Sequence, residues 1–177
     1  MALAEAILVC LTERPMSGYD LAKNFDASIG FFWRASHQQI YRELGKLRDK
    51  GFVESREITQ NGKPNRIVHT ITNTGRKALS VWSTKPSRMP SIKDDLLVKF
   101  YALGDVDLDA LKDQLTIRVE QHQTKLSKFH RIKERYYNNA EMSINQKGKL
   151  IALEMGIEDE TRRIEALQSA MMKISAL

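Results

Sequence analysis

The chain lacks most of the residues that catalysis, metal binding or covalent bracing require. It has 1 cysteine in 177 residues, so no internal disulfide can hold it together. That thiol, Cys10, lies in the apolar run 6–11 with nothing basic beside it to stabilise a thiolate, the pattern of a buried, inert side chain. The 4 histidines, His37, His69, His122 and His130, are scattered over separate segments. No Cys/His cluster has metal-site spacing, and no Gly-rich loop offers a cradle for phosphates. An enzyme is therefore not expected, nor a metal or cofactor. An apolar run of about 18 residues is also missing, and Glu5 stands where a secretory leader would be basic. These absences predict a soluble, cytoplasmic protein with no membrane partner.

What is present is divided unevenly. The net charge is +6, yet residues 1–90 hold 14 Lys/Arg against 8 Asp/Glu while residues 91–177 hold 14 of each. A basic part that meets a polyanion, joined to a neutral part with another task, fits this split. Two of the 4 prolines fall at Pro86 and Pro90, in a stretch that cannot continue a helix. The expected division is into a basic domain of residues 1–88 and a helical domain of residues 91–177.

Within the first part, residues 3–12 read as a short apolar helix closed before Pro15. A second helix starts at Ser17, with Asp20 three residues on, carries Leu21, Phe25 and Ile29, and ends at Gly30. The third opens with a capping-box pattern, Ser36 and Gln39, buries Ile40, Leu44 and Leu47, and stops at Gly51. Two strands, 52–58 and 66–71, flank an Asn61-Gly62-Lys63-Pro64 turn and predict a β-hairpin. A fourth helix begins near Thr72 and is expected to bury Ala78, Leu79 and Trp82. Three helices, a hairpin and a helix, in that order, make a winged helix-turn-helix.

At 100° per residue the face of the third helix opposite Ile40, Leu44 and Leu47 carries Gln38, Arg42, Gly45 and Asp49, flanked by Gln39, Tyr41 and Lys46. Glutamine and arginine match the hydrogen-bonding edges of adenine and guanine in the major groove. Gly45 lowers the helix's own stability by about 1 kcal/mol relative to alanine, and so suggests close approach of a partner's backbone. Lys63, Asn65 and Arg66 at the hairpin, with Arg34 ahead of the helix and Lys23 on the second helix, supply cations for phosphates. The expected interface with double-stranded DNA is therefore Lys23, Arg34, Ser36, Gln38, Gln39, Tyr41, Arg42, Lys46, Lys63, Asn65 and Arg66. Gln38, Gln39 and Arg42 would select bases, and Lys46, Lys63 and Arg66 would supply affinity.

Three stretches resemble the PadR-type transcriptional regulators, and within them the virulence-activator-like branch. They are Ser17-Gly18-Tyr19-Asp20-Leu21; the string from Ser28 through Phe31-Phe32-Trp33-Arg34 and Ser36-His37-Gln38-Gln39-Ile40-Tyr41-Arg42 to Leu44; and Gly62-Lys63-Pro64-Asn65-Arg66 followed by Ile71-Thr72 and Gly75-Arg76. The resemblance implies a third helix in the major groove, a wing on the backbone or minor groove, and a dimer on a near-palindromic site. It leaves Tyr41 either at the DNA surface or packed on the domain's flank. Another branch of the family releases DNA on binding phenolic acids, but no residue here identifies a small-molecule effector site or a co-activator surface.

The second part is helical almost throughout. Leu96, Leu97, Phe100 and Tyr101 are expected on the buried side of a short helix closed by Gly104. From Leu108 an apolar seam runs through Leu111, Leu115, Val119, Leu126, Phe129 and Tyr136, and after a break at 138–141 it returns at Leu153, Ile157, Ile164, Leu167, Met171 and Ile174. His122 and Glu160 interrupt these seams as register or pairing features. Such a hairpin has no globular core to cover its remaining apolar faces, and a second copy would do so. The expected dimerisation residues are Leu111, Leu115, Leu126, Phe129, Leu153, Ile157, Ile164, Leu167 and Met171. The rival to DNA binding is a winged-helix protein-interaction module, which leaves the cationic wing and the Gln/Arg face unexplained.

Overall fold

The computed structural model describes residues 3–27, 35–59, 65–87, 89, 93–138 and 141–177. Expectations placed on Gly30, Arg34, Lys63 and the turn at 60–64 lie outside the described residues. The chain divides into two compact units, residues 1–90 and 91–177.

The first unit contains α1 (Leu3–Leu11), β1 (Met16–Ser17), α2 (Gly18–Ala27), α3 (His37–Asp49), β2 (Val53–Ile58), β3 (Arg66–Ile71) and α4 (Asn73–Ser83). It is a winged helix with one addition. Where a two-stranded hairpin was expected, there is a three-stranded antiparallel sheet in the order β1-β3-β2, with Met16 opposite His69 and Ser17 opposite Val68. A strand of two residues is too short to show periodicity in sequence.

The core gathers Ile7, Leu8 and Leu11 of α1, Leu21 and Phe25 of α2, Ile40, Leu44 and Leu47 of α3, and Val53 and Ile71 of the wing. Cys10 is buried in it. α3 closes at Lys50, and Gly51 follows with φ +69°, the left-handed region that glycine enters without cost. α4 docks through Gly75, where a Cβ would strike the Phe52 carbonyl oxygen and come within 2.9 Å of Ile71 Cγ1. Leu79 reaches the core, but Trp82, expected to be buried, is 38 % exposed because it lies one turn beyond the core's edge.

The second unit contains α5 (Asp95–Tyr101), α6 (Leu108–Tyr136) and α7 (Ile144–Ser175). Leu96 of α5 clusters with Leu111, Leu115 and Ile174, and Phe100 packs alongside. Leu97 and Tyr101 were also expected to be buried and are exposed. A short helix docks through one i, i+4 pair, and here that pair is Leu96 and Phe100. Arg118 Nη1 anchors α5 by donating to Asp94 Oδ1 at 2.7 Å and Oδ2 at 2.6 Å.

α6 and α7 pair as a long hairpin. Leu111, Leu115, Phe129, Leu153 and Ile164 are buried within this one chain, which corrects their assignment to the partner contact. A side chain already enclosed by its own hairpin has little surface left for a second copy. Leu126, Ile157, Leu167 and Met171 are half-buried and keep part of theirs.

Glu160 is 4 % exposed in the α6–α7 seam. His122 Nδ1 stands 2.5 Å from its Oε2, and Lys125 Nζ donates to its Oε1 at 2.6 Å. Burial alone would raise the Glu160 pKa, but the hydrogen bonds and charges of Lys125 and His122 outweigh it and hold the carboxyl below its usual value. A carboxylate lowered in this way adds stability above its unfolded value and loses it as pH falls through the folded one. Glu160→Gln should therefore cost about 2 kcal/mol at neutral pH. In thermal unfolding followed by circular dichroism, the gap between wild type and variant should close toward about pH 3; a gap independent of pH would refute the charged role.

Candidate nucleic-acid interface

α3 starts where the capping-box pattern put it. Ser36 Oγ accepts from Gln39 N–H at 3.2 Å, and the Gln39 carbonyl Oε1 accepts from Ser36 N–H at 2.8 Å. Both side chains are thus engaged at the cap. Two-point recognition of adenine needs both ends of a side-chain amide, and Gln39 has one end committed to the cap. Gln38 and Arg42 stand exposed on the outer face of the helix. Lys46 lies there too, donating to Glu43 at 3.0 Å.

α2 begins with a second capping box. Asp20 N–H donates to Ser17 Oγ at 3.1 Å, and the Ser17 hydroxyl donates to Asp20 Oδ2 at 2.8 Å. Arg66, at the start of β3, ion-pairs with the same Asp20 carboxylate. The Ser17 hydroxyl, outweighing the penalty of burial, and then the Arg66 charge hold the Asp20 carboxyl below the usual carboxylate range. Asn65 Nδ2 donates to Glu57 Oε1 at 2.7 Å, tying the two strands together at the base of the wing turn.

Between α3, the wing and the start of α2 lies an open cleft of about 800 Å³. Tyr41, Gly45 and Arg48 line it from α3, Tyr19 from α2, and Arg66 and His69 from β3. Tyr41 packs on the domain's flank. Its ring lies over Gly18, where any Cβ would overlap it, and it remains 51 % exposed. A side chain at Gly18 would thus require the Tyr41 ring to move. Gly45 is not, since a Cβ there would meet nothing within 4 Å. His69 Nδ1 lies 2.9 Å from Ser55 Oγ, and burial first, then the Arg48 charge, hold its pKa below the ordinary histidine value.

The cleft unites Tyr41, Asn65 and Arg66 of the expected residues and adds Tyr19, Arg48 and His69, which sequence reasoning missed. Arg48 stands about 120° around the helix from Arg42, outside the face chosen from sequence. Its spacing, three residues after Gly45 and seven after Tyr41, was the available signal. Lys23 is exposed one turn beyond Tyr19 but does not line the cleft. Arg34 and Lys63 lie outside the described residues. Among the described residues no group of His, Cys, Asp or Glu could hold a metal ion, and no helix is long and apolar enough to cross a membrane.

This arrangement has known counterparts. Residues 7–81 match the transcriptional regulator PadR-like family, and residues 92–174 match the virulence activator alpha C-term family. A probable transcriptional regulator of Mycobacterium tuberculosis, Rv1176c, is 41 % identical over 132 residues, 68 % of this chain and 70 % of that protein. The chain belongs to the PadR-like family of transcriptional regulators. The negative transcriptional regulator PadR of Bacillus subtilis is 31 % identical over 176 residues, 97 % of each chain. Its crystal structure in complex with operator DNA superposes with a TM-score of 0.85 over 98 % of this chain and 99 % of that one, at 29 % identity. The Vibrio cholerae virulence activator AphA superposes with a TM-score of 0.80, at 31 % identity over 98 % of both chains. PadR-like proteins are regulators, not enzymes, and the mainly helical winged-helix fold with a helical second unit is the family's own.

The two glycines of the cleft make opposite predictions for stability. Gly45→Ala should raise it by about 1 kcal/mol, the helix propensity recovered at an unobstructed site. Gly18→Ala should lower it by about 1–3 kcal/mol, because the new methyl must displace the Tyr41 ring. Denaturant unfolding of the two variants decides the matter, and a destabilised Gly45→Ala would mean that this position is packed after all.

Proposed function

We propose that this PadR-like regulator is a cytoplasmic, sequence-specific DNA-binding homodimer that grips a near-palindromic operator through α3 and the wing. The observation that carries the reading is the joining of an exposed Gln38/Arg42 face to a cleft lined by Arg48 and Arg66. The likeness over nearly the whole chain to a PadR solved on its operator supports it.

In this reading α3 enters the major groove. Gln38 and Arg42 select bases, Gly45 lets the groove wall come close, and Arg48, Arg66 and Tyr41 face the sugar–phosphate backbone. Dimerisation would set two such helices in successive major grooves about 34 Å apart. Exposed apolar side chains supply the motive for it: Val98 and Tyr101 on α5, and Ile144, Ile151 and Met155 on α7. The last three share one side of their helix at spacings of seven and four, and a second copy covering them would remove a water-exposed apolar stripe. Residues 1–88 then act as the DNA-binding domain and 91–177 as the dimerisation domain.

Selection from a random duplex pool, with affinity for the winners followed as salt is raised, should return a near-palindrome with steep salt dependence. Arg42→Ala should relax preference at one base pair, costing about 1–3 kcal/mol of discrimination. Arg66→Ala should weaken all sequences alike and reduce the salt slope by about one. Identical losses from both variants would refute the division of labour. Sedimentation equilibrium should give twice the 20.3 kDa chain mass, and a monomer at micromolar concentration would remove the dimer from the reading.

A further inference from the structure

The wing's inner face changes character along its length. Val53 and its cross-strand partner Ile71 are core residues, whereas two positions further toward the tip the next pair on that face is Ser55 and His69. Packing alone would favour another apolar pair there. Instead the imidazole lines the cleft opposite Arg48, with its Nδ1 held by the Ser55 hydroxyl. The ring's second nitrogen, Nε2, is the one not used in that contact.

We propose that the cleft seats a backbone phosphate of bound DNA between Arg48 and His69, and that His69 takes up a proton as the phosphate arrives. This rests on the DNA-binding reading above. The groups that face His69 set the direction. From α3 come Arg48 and Tyr41, from α2 Tyr19 and Asp20, and from β3 Arg66. Glu57 on β2 follows Ser55 on the same face and accepts from Asn65. Asp20 is engaged by Ser17 and Arg66, so its charge is already matched. In the free protein burial first, and then the charge of Arg48, itself paired with Asp49 at 3.4 Å, favour the neutral imidazole. A phosphodiester placed beside both groups reverses that balance, since its negative charge favours imidazolium. The complex then holds more protons than the free protein, and affinity rises as pH falls.

The test is calorimetric titration of the selected operator duplex into the full-length protein, in two buffers of different ionisation enthalpy, from about pH 8 to about pH 6. The expected result is proton uptake on binding, with affinity rising up to about tenfold for each unit by which the bound imidazole's pKa exceeds the free one. His69→Gln should abolish the uptake and flatten the pH profile, while His130→Gln, exposed on α6 in the second unit, should leave both in place. Arg48→Gln should lower the salt slope by about one per protomer. Operator binding without proton uptake overturns the proposal and leaves the DNA-binding function standing, as does a pH profile that survives His69→Gln or disappears with His130→Gln. Failure to bind any selected duplex across the pH range overturns both. The proton count is read on the wild-type protein, so the test does not depend on the folding of a variant.

Discussion

The rotation of α3 about its own axis governs everything the first unit presents to a partner. Ile40, Leu44 and Leu47 fix that rotation by entering a core shared with α1, α2 and the wing. Burying three such side chains stabilises the fold by several kcal/mol, far more than any exposed polar contact on the helix. A turn of 100° would withdraw those three from the core. The outward direction of Gln38 and Arg42, and the placing of Arg48 against the wing, are thus consequences of a hydrophobic choice.

In the second unit the governing constraint is electrostatic. Aliphatic seams on two helices of 29 and 32 residues tolerate slippage, because one leucine packs against another in several registers. Glu160 does not. Sliding α7 by one turn would carry its carboxylate away from both Lys125 and His122 and leave an unpaired charge in the seam, which costs several kcal/mol. A buried polar group that specifies register lowers the ceiling on stability in return for a single alignment. The loss is limited here by the two donors that meet the carboxylate from one side of α6.

The sequence made the element order legible because apolar spacing, capping boxes and Gly51 each act over four residues or fewer. Ser36 with Gln39 and Ser17 with Asp20 were readable for that reason. Their consequence was harder to see: a side chain engaged at a cap, as Gln39 is, has less left for another partner. The residues missed, Tyr19, Arg48 and His69, belong to a cleft whose walls are joined only in the fold. β1 escaped notice because two residues carry no period, although it lies beside His69 in the sheet. The seam of the second unit was visible, but whether a leucine faces its own hairpin or a partner depends on which stripe the hairpin uses first. Leu111 and Leu115 went to the interior, and Ile151 and Met155 were left outside.

The charges around the cleft qualify how strongly it can hold a polyanion. Arg66 leans on Asp20, Lys46 on Glu43 and Arg48 on Asp49. A phosphate that approaches any of these cations meets a carboxylate already there. Exchanging one anion for another yields less than neutralising a free cation, and exposed pairs of this kind are worth at most about 1 kcal/mol each. In the proposed complex non-specific attraction to DNA would therefore be moderated, while the carboxylates, by holding the long cationic side chains in place, would reduce the entropy lost on binding. In the proposed complex discrimination would gain relative to raw affinity, because base-reading contacts would keep their full worth while phosphate contacts are discounted. A regulator that must find one site among many benefits more from that ratio than from tighter binding everywhere.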